Sequence, residues 1–219
     1  METIANFKIN SKYMHHWNAL IEEWILSIDR FSRITDGDVP YWYNERANIG
    51  LLSAAAWRCG RIALEEFQYE KIDVTSAEET DVILQKKWNG RCDLWICSDV
   101  SEEIIEAKFK WLNMRSKKIA DFATSCLESA VNDAKCTKGN DEIEAIGVVF
   151  MPVYAKAEKV GDVEALEKLI FQTIKVFSAK DFPADLVAWS FPKRLRDHIG
   201  EKYNNYLPGI VMLAKIVTK

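Results

Sequence analysis

Apolar positions recur first at helical spacing. From about residue 12 to 28, Trp17, Leu20, Ile21, Trp24 and Ile28 form one 3.6-residue stripe, which predicts an amphipathic helix. Asp36-Gly37-Asp38 and Pro40 then mark a turn. A second helix is expected from Asn44, a capping residue, to Cys59, with Gly60 ending it. Its inward stripe holds Ile49, Leu52 and Ala56, and Glu45, one turn before Ile49, shares that face. The pattern then becomes strand-like. Arg61 to Tyr69 reads as one strand, followed by turn or loop to about Thr80. Arg91 to Cys97 and Glu103 to Phe109 read as two more, joined by the polar stretch Ser98–Glu102. A helix from about Lys117 to Lys135 carries Ile119, Phe122, Ala123, Cys126, Leu127, Ala130 and Val131 on one face. The unbroken apolar run Ala145–Tyr154 predicts a central strand covered on both sides. A helix over about Val163–Phe177 and two strands, near Leu186–Phe191 and Gly209–Val217, complete an α/β sandwich with a mixed sheet.

Composition changes this picture little. With 219 residues, 48% hydrophobic and 28% charged, and with no repeat or low-complexity linker, the chain suits a single domain. No stretch approaches the ~18 apolar residues of a membrane span, and the start Met1-Glu2-Thr3-Ile4 lacks the basic segment of a secretory signal. Five cysteines without a Cys-x-x-Cys pair read as reduced thiols of a cytoplasmic protein, mostly core filler, and argue against a structural zinc site. The net charge of −4 argues against a general nucleic-acid coat protein; it leaves room for a nuclease, whose carboxylate site needs divalent cations while local basic patches hold phosphate.

The stretch with chemical content is Gly90-Arg91-Cys92-Asp93-Leu94-Trp95-Ile96 followed by Ile104-Ile105-Glu106-Ala107-Lys108. With Ser98–Ser101 as a four-residue loop, Cys97 faces Glu102, Trp95 faces Ile104 and Asp93 faces Glu106; Lys108, two residues on, shares the face of Glu106. Opposed carboxylates repel, and a hard divalent cation such as magnesium or manganese is the natural compensator. A lysine beside them can stabilise charge that develops during hydrolysis.

Asp93-x12-Glu106-Ala107-Lys108 resembles the signature of the PD-(D/E)XK nuclease superfamily, the restriction-endonuclease-like fold: an aspartate on one strand, then acid-x-lysine on the next. The order helix, three-stranded meander, helix, strand is also similar, over roughly residues 41–155, leaving an N-terminal helical and a C-terminal α/β elaboration. Cys92 stands where the family name has proline, a position at which members vary. The resemblance implies a Mg2+-dependent (or Mn2+-dependent) deoxyribonuclease acting in restriction, repair, mobile-element or phage-type biology. It implies that Asp93, Glu106 and the Ala107 carbonyl ligate the metal, with Glu45 ligating directly or through water and Lys108 activating the water. DNA is the implied partner, and a homodimer or protein partner is compatible with the pattern.

Blander roles exist for the same residues. Asp93 could pair with Arg91, Glu106 and Lys108 could lie on a solvated strand, and Glu45 could serve the helix dipole. His15 and His16 point ~100° apart on a helix and read as structural or exposed. His198 lies in the basic run Lys193–His198 and suits a phosphate contact or a solvated helix start, the latter being the commoner fate. Lys110, Arg115, Lys117 and Lys118 follow the acid-x-lysine strand and are the candidate phosphate contacts. Trp111 suits a base stack or the core, the core being the commoner fate. A catalytically silent nuclease-fold module that binds nucleic acid or protein, and an unrelated α/β interaction protein, are the competing functional classes.

Overall fold

A computed structural model describes residues 3–72, 87–137, 143–196, 198–200 and 202–217. Among these residues nine strands, β1 (Ile4–Ile9), β2 (Ile62–Ile72), β3 (Lys87–Cys97), β4 (Glu102–Phe109), β5 (Leu112–Asn113), β6 (Glu144–Lys156), β7 (Leu186–Phe191), β8 (Ile199–Gly200) and β9 (Asn205–Ile216), form one mixed sheet. Its main order is β1-β7-β9-β6-β4-β3-β2, with β5 on β6 and β8 on β9. Four α-helices flank it: α1 (Asn18–Ile34), α2 (Glu45–Arg58), α3 (Ile119–Thr137) and α4 (Val163–Phe177). The expected α/β class and mixed sheet are therefore present. No helix among the described residues is long and apolar enough to cross a membrane.

Two cores sit on opposite faces of the sheet. Trp17, Leu20, Ile21, Trp24 and Ile28 pack with Ile49, Leu52 and Ala56 of α2 over Leu94, Ile96, Ile105, Ala107, Ile146 and Val148. On the other face, α3 and α4 cover Val149, Met151, Val187, Val211 and Leu213. Alternate residues of β6 enter opposite cores, so its apolar run is continuous because both faces are covered. β6 runs parallel to β4 through the α3 crossover and antiparallel to β9.

Local chemistry sets the helix ends. The Asn44 side chain accepts the Ala47 N–H at 2.9 Å, and Gly60 turns away from α2 at φ 83°. Asp162 caps α4 in the same way, accepting from Ala165 N–H at 2.8 Å.

The structure departs from the pattern in several places, among them the short strands β5 and β8 and the start of β9 at Asn205 rather than Gly209. The N-terminal segment is not only helical: β1 closes the sheet edge against β7. Its neighbours on the sequence are polar and its own burial is partial, so alternation alone left no mark. The first helix opens with a 3-10 segment over Lys12–Trp17 and runs on to Ile34. β2 extends to Ile72 and β3 begins at Lys87, so their polar outer halves escaped a hydrophobic reading; most of the expected loop to Thr80 lies outside the described residues. Phe122 is not part of the buried α3 stripe and stands 40% exposed at its border.

One close approach fixes how α3 lies on the sheet. A Cβ on Gly147 would come within 2.5 Å of Val131 N and 2.7 Å of Ala130 C, both backbone atoms that cannot swing aside. Gly147 is also the ladder neighbour of Glu106. Gly147→Ala is expected to lower unfolding free energy by about 1–3 kcal/mol through overpacking, read as a lower denaturant midpoint at unchanged slope.

Candidate active site

Glu106 and Lys108 are placed by the parallel β4–β6 pair. Their ladder partners are Gly147, pressed against α3, and Val149, buried in the α3/α4 core. Both residues therefore belong to the α3 face, and Lys108 Nζ pairs with Asp133 of α3. The antiparallel β3–β4 register includes Cys97↔Glu102 and Trp95↔Ile104, as the four-residue loop predicts. That ladder ends at Leu94↔Ile105, one step before Asp93 and Glu106 would be matched.

Beyond this point the strands are joined by a side chain. Asp93 Oδ2 accepts the Ala107 N–H at 2.7 Å, taking the place of a backbone acceptor. The disturbance continues into β2. The β2–β3 ladder omits Glu66 and Asp93 between Glu65↔Leu94 and Phe67↔Cys92, and Glu66 sits at φ 55°. A non-glycine residue in that region costs of order 1–3 kcal/mol, strain of the kind that collects at functional sites. Leu94 enters the α1/α2 core, whereas Cys92, two residues earlier, hydrogen-bonds Glu106 on the other face, so regular alternation fails at Asp93.

The charges are tightly coupled. Glu106 is 4% exposed, and Lys71 Nζ donates to its Oε1 at 2.8 Å. Burial, opposed by the Lys71 hydrogen bond and reinforced by the Asp93 charge, pushes its carboxyl up to about 7. Burial also raises Asp93; the Ala107 N–H, Lys108 and Lys71 pull it back and Glu66 adds to the rise. Glu45, at the first turn of α2, is raised by burial and then by Asp93, against Lys108 and the Phe109 N–H. Burial works to lower Lys108, but Asp133, Glu45 and Asp93 outweigh it, so its ammonium is held above the ordinary lysine range. Glu45, Asp93 and Lys108 thus act on one another across three elements, with Glu106 coupled through Asp93.

Arg91 pairs with Glu66 rather than with Asp93. Lys71, Asp133 and Cys92 are site neighbours that sequence reasoning missed. Lys71 reaches Glu106 by lying across Gly90, its Cδ within 2.6 Å of where a Cβ there would stand. Asp133 meets Lys108 only through the α3 crossover, and no spacing in the sequence marks either contact.

Lys110, Arg115, Lys117 and Lys118 are all exposed just beyond β4. Trp111 is not core: it is 36% exposed and meets Phe109 and Tyr154 edge-on. Of the two N-terminal histidines, His15 is exposed, while His16 pairs with the buried Glu103 on the α1/α2 face. Trp17 Nε1 donates to Glu103 at 3.0 Å and Arg61 Nη1 lies at 3.5 Å. Ligand atoms of His16, Glu103 and Glu144 fall within 4.8 Å of one another, but Arg61 already supplies Glu103 with a positive counter-charge.

Comparison with protein-family models, curated proteins and solved structures finds no match to this chain.

The Glu106 shift has a definite pH consequence. A carboxyl whose folded pKa is raised contributes stability that is full below its unfolded value, near ~4.3, and is lost as pH rises through the folded value. Metal-free protein should therefore lose stability between about pH 4.5 and about 7 from this group. Glu106→Gln should flatten that part of the profile, measured by urea denaturation across the range.

Proposed function

We propose that this protein is a metal-dependent nuclease that hydrolyses DNA phosphodiester bonds, with Glu45, Asp93, Glu106 and Lys108 as its reacting centre. The observation that carries the reading is the meeting of Glu45, Asp93 and Lys108 where the β3–β4 ladder opens, with Glu106 next along β4. All three carboxyls are raised, by burial first; the Asp93 charge adds to the rise at Glu45 and Glu106, and the Glu66 charge to that at Asp93. Such a set binds protons more readily than free carboxylates and is short of positive charge, a shortage that a hard divalent cation relieves.

The donor chemistry suits magnesium or manganese, with oxygen ligands only, from Asp93, Glu106, Glu45 and the Ala107 carbonyl, but among the described residues the carboxylates of Glu45, Asp93 and Glu106 do not gather within 4.8 Å of one another. When bound, the ion supplies Lewis-acid polarisation of a phosphoryl oxygen and lowers the pKa of coordinated water. The chain's own groups do the rest. Lys108 remains protonated and presents a compact positive charge to oxygen anions formed at phosphorus. Asp133 holds that ammonium from the α3 side and serves as a positioning residue. The Ala107 N–H fixes Asp93, so its second oxygen is free of that bond and the carboxylate is oriented in advance. Lys110, Arg115, Lys117 and Lys118 are the candidate phosphate contacts, since they share the exposed chain segment that leaves β4.

A catalytically silent, nucleic-acid-binding or protein-binding version of the same arrangement is favoured by one observation: Lys71 and Asp133 already pair with Glu106 and Lys108. The two readings part on metal and cleavage. Magnesium or manganese should raise the melting temperature of the wild type by linkage to the folded state, and Asp93→Asn should abolish that rise. An unchanged rise in the variant would move the ion elsewhere.

Lys108→Ala should leave folding and the metal-induced rise nearly intact while lowering DNA cleavage by about 10²–10³-fold. Lys108→Arg should rescue poorly, because a planar fork does not replace an ammonium. The assay is cleavage of duplex, single-stranded and branched DNA with either ion. Full cleavage by Lys108→Ala would assign the activity to another site; no cleavage of any substrate by wild type would favour the silent module.

A further inference from the structure

Two short chain segments adjoining the candidate active site reach one cleft. Trp42 precedes Glu45 by three residues, and Trp111 follows Lys108 by three, which keeps the latter pair of Cα atoms within about 11 Å. Both tryptophans line one open cleft of about 790 Å3, together with Tyr154, Tyr203, Lys156 and Lys202. That volume lies within the ~300–1,000 Å3 of ordinary small-ligand clefts. Trp42 is already stacked on His198, with ring centroids 4.6 Å apart and planes at 27°. Trp111 meets Tyr154 edge-on at 6.4 Å, and Tyr203 stands 69% exposed.

The chain carries a net −4, yet among the described residues the cleft lining includes two lysines and no carboxylate. Lys156 also borders a smaller adjoining hollow with Arg115 and Lys159, which extends the cationic wall. Flat aromatic faces with flanking ammonium groups match a strand of nucleic acid whose bases stack while its phosphates follow the lysines. Paired bases inside a duplex cannot reach such faces; bases of a single strand, or bases turned out of a helix, can.

We propose that the cleft of Trp42, Trp111, Tyr154 and Tyr203 is a binding subsite for unpaired bases, so that the substrate enters the active site as single-stranded nucleic acid. The inference rests on the nuclease reading for the position of the phosphate to be cut, but it concerns binding and has its own readout. Lys156 and Lys202 hold the backbone, and Trp111 sets the distance between the stacked base and Lys108.

Full-length protein in chelator, where cleavage cannot proceed, is titrated with fluorescently labelled oligothymidylate, a blunt duplex of equal length and polyglutamate, and followed by anisotropy. Oligothymidylate should bind about tenfold tighter than duplex, and loss of one stacked base should weaken it by about tenfold in Trp111→Ala and in Tyr203→Ala. Trp111→Phe should restore most of the loss, because any aromatic face stacks. Tyr203 is exposed enough that its removal leaves the core intact, which keeps the test open if Trp111→Ala fails to fold. Equal affinity for strand and duplex, or strand binding unchanged in Tyr203→Ala, would overturn the inference. So would polyglutamate binding as tightly as oligothymidylate with the same sensitivity, which would make the cleft an acidic-peptide site. A parallel cleavage assay with manganese separates the two readings. Strand-selective binding without cleavage leaves the cleft and removes the nuclease; cleavage abolished by Asp93→Asn without strand selectivity does the reverse.

Discussion

The end of the β3–β4 ladder at Leu94↔Ile105 is the constraint on which the candidate site depends. Continued pairing would put Asp93 and Glu106 face to face, a cross-strand repulsion within a partly buried sheet. The backbone avoids it by parting, and the Asp93 carboxylate takes up the Ala107 N–H that the lost ladder would have left without an acceptor. The omitted Glu66–Asp93 pair and the positive φ of Glu66 carry the same irregularity into β2. This local break accompanies the coupling of Asp93 to Glu45 and of Cys92 to Glu106.

Around that break the protein offsets charge with charge. Lys71 reaches Glu106 from β2, and Asp133 reaches Lys108 from α3. The Lys71–Glu106 pair is largely buried, and removing Lys71 would strand a charge in a poorly solvated place, whereas the Lys108–Asp133 pair is half exposed. Even so, Glu45, Asp93 and Glu106 all remain raised, burial being the largest cause in each. In the Glu103 cluster on the opposite face, Arg61, His16 and Trp17 all direct donors at one buried carboxylate.

The packing of α3 ties the site to the surface beyond it. Its backbone rests on Gly147, which sets the height of Asp133 over Lys108. Its border residue Phe122 is left outside the core and lines a hollow with Trp111 and Lys118. Aromatic side chains that would be core material elsewhere therefore surround the exit of β4. Their placement follows from the short reach between Lys108 and Trp111, which leaves the tryptophan past the edge of the α2 and α3 layers.

Sequence alone determined the parts that depend on short-range periodicity. The α2 cap at Asn44, the bounds of α4 and β7, the two-faced burial of β6, and the Trp95–Ile104 register all follow from spacing over a few residues. The same four-residue loop predicts Asp93 opposite Glu106, but the ladder ends one step short of that pair. What only the tertiary structure decided were relations between distant segments. β1 pairs with a strand some 180 residues later, and its half-buried pattern held no sign of that edge. Lys71, Asp133 and the cleft shared by Trp42, Trp111 and Tyr203 are brought together by crossovers whose end points no local pattern encodes. Nor could spacing foresee that the ladder would stop at Leu94, because that outcome rests on a balance between backbone hydrogen bonding and the cost of opposing two desolvated carboxylates.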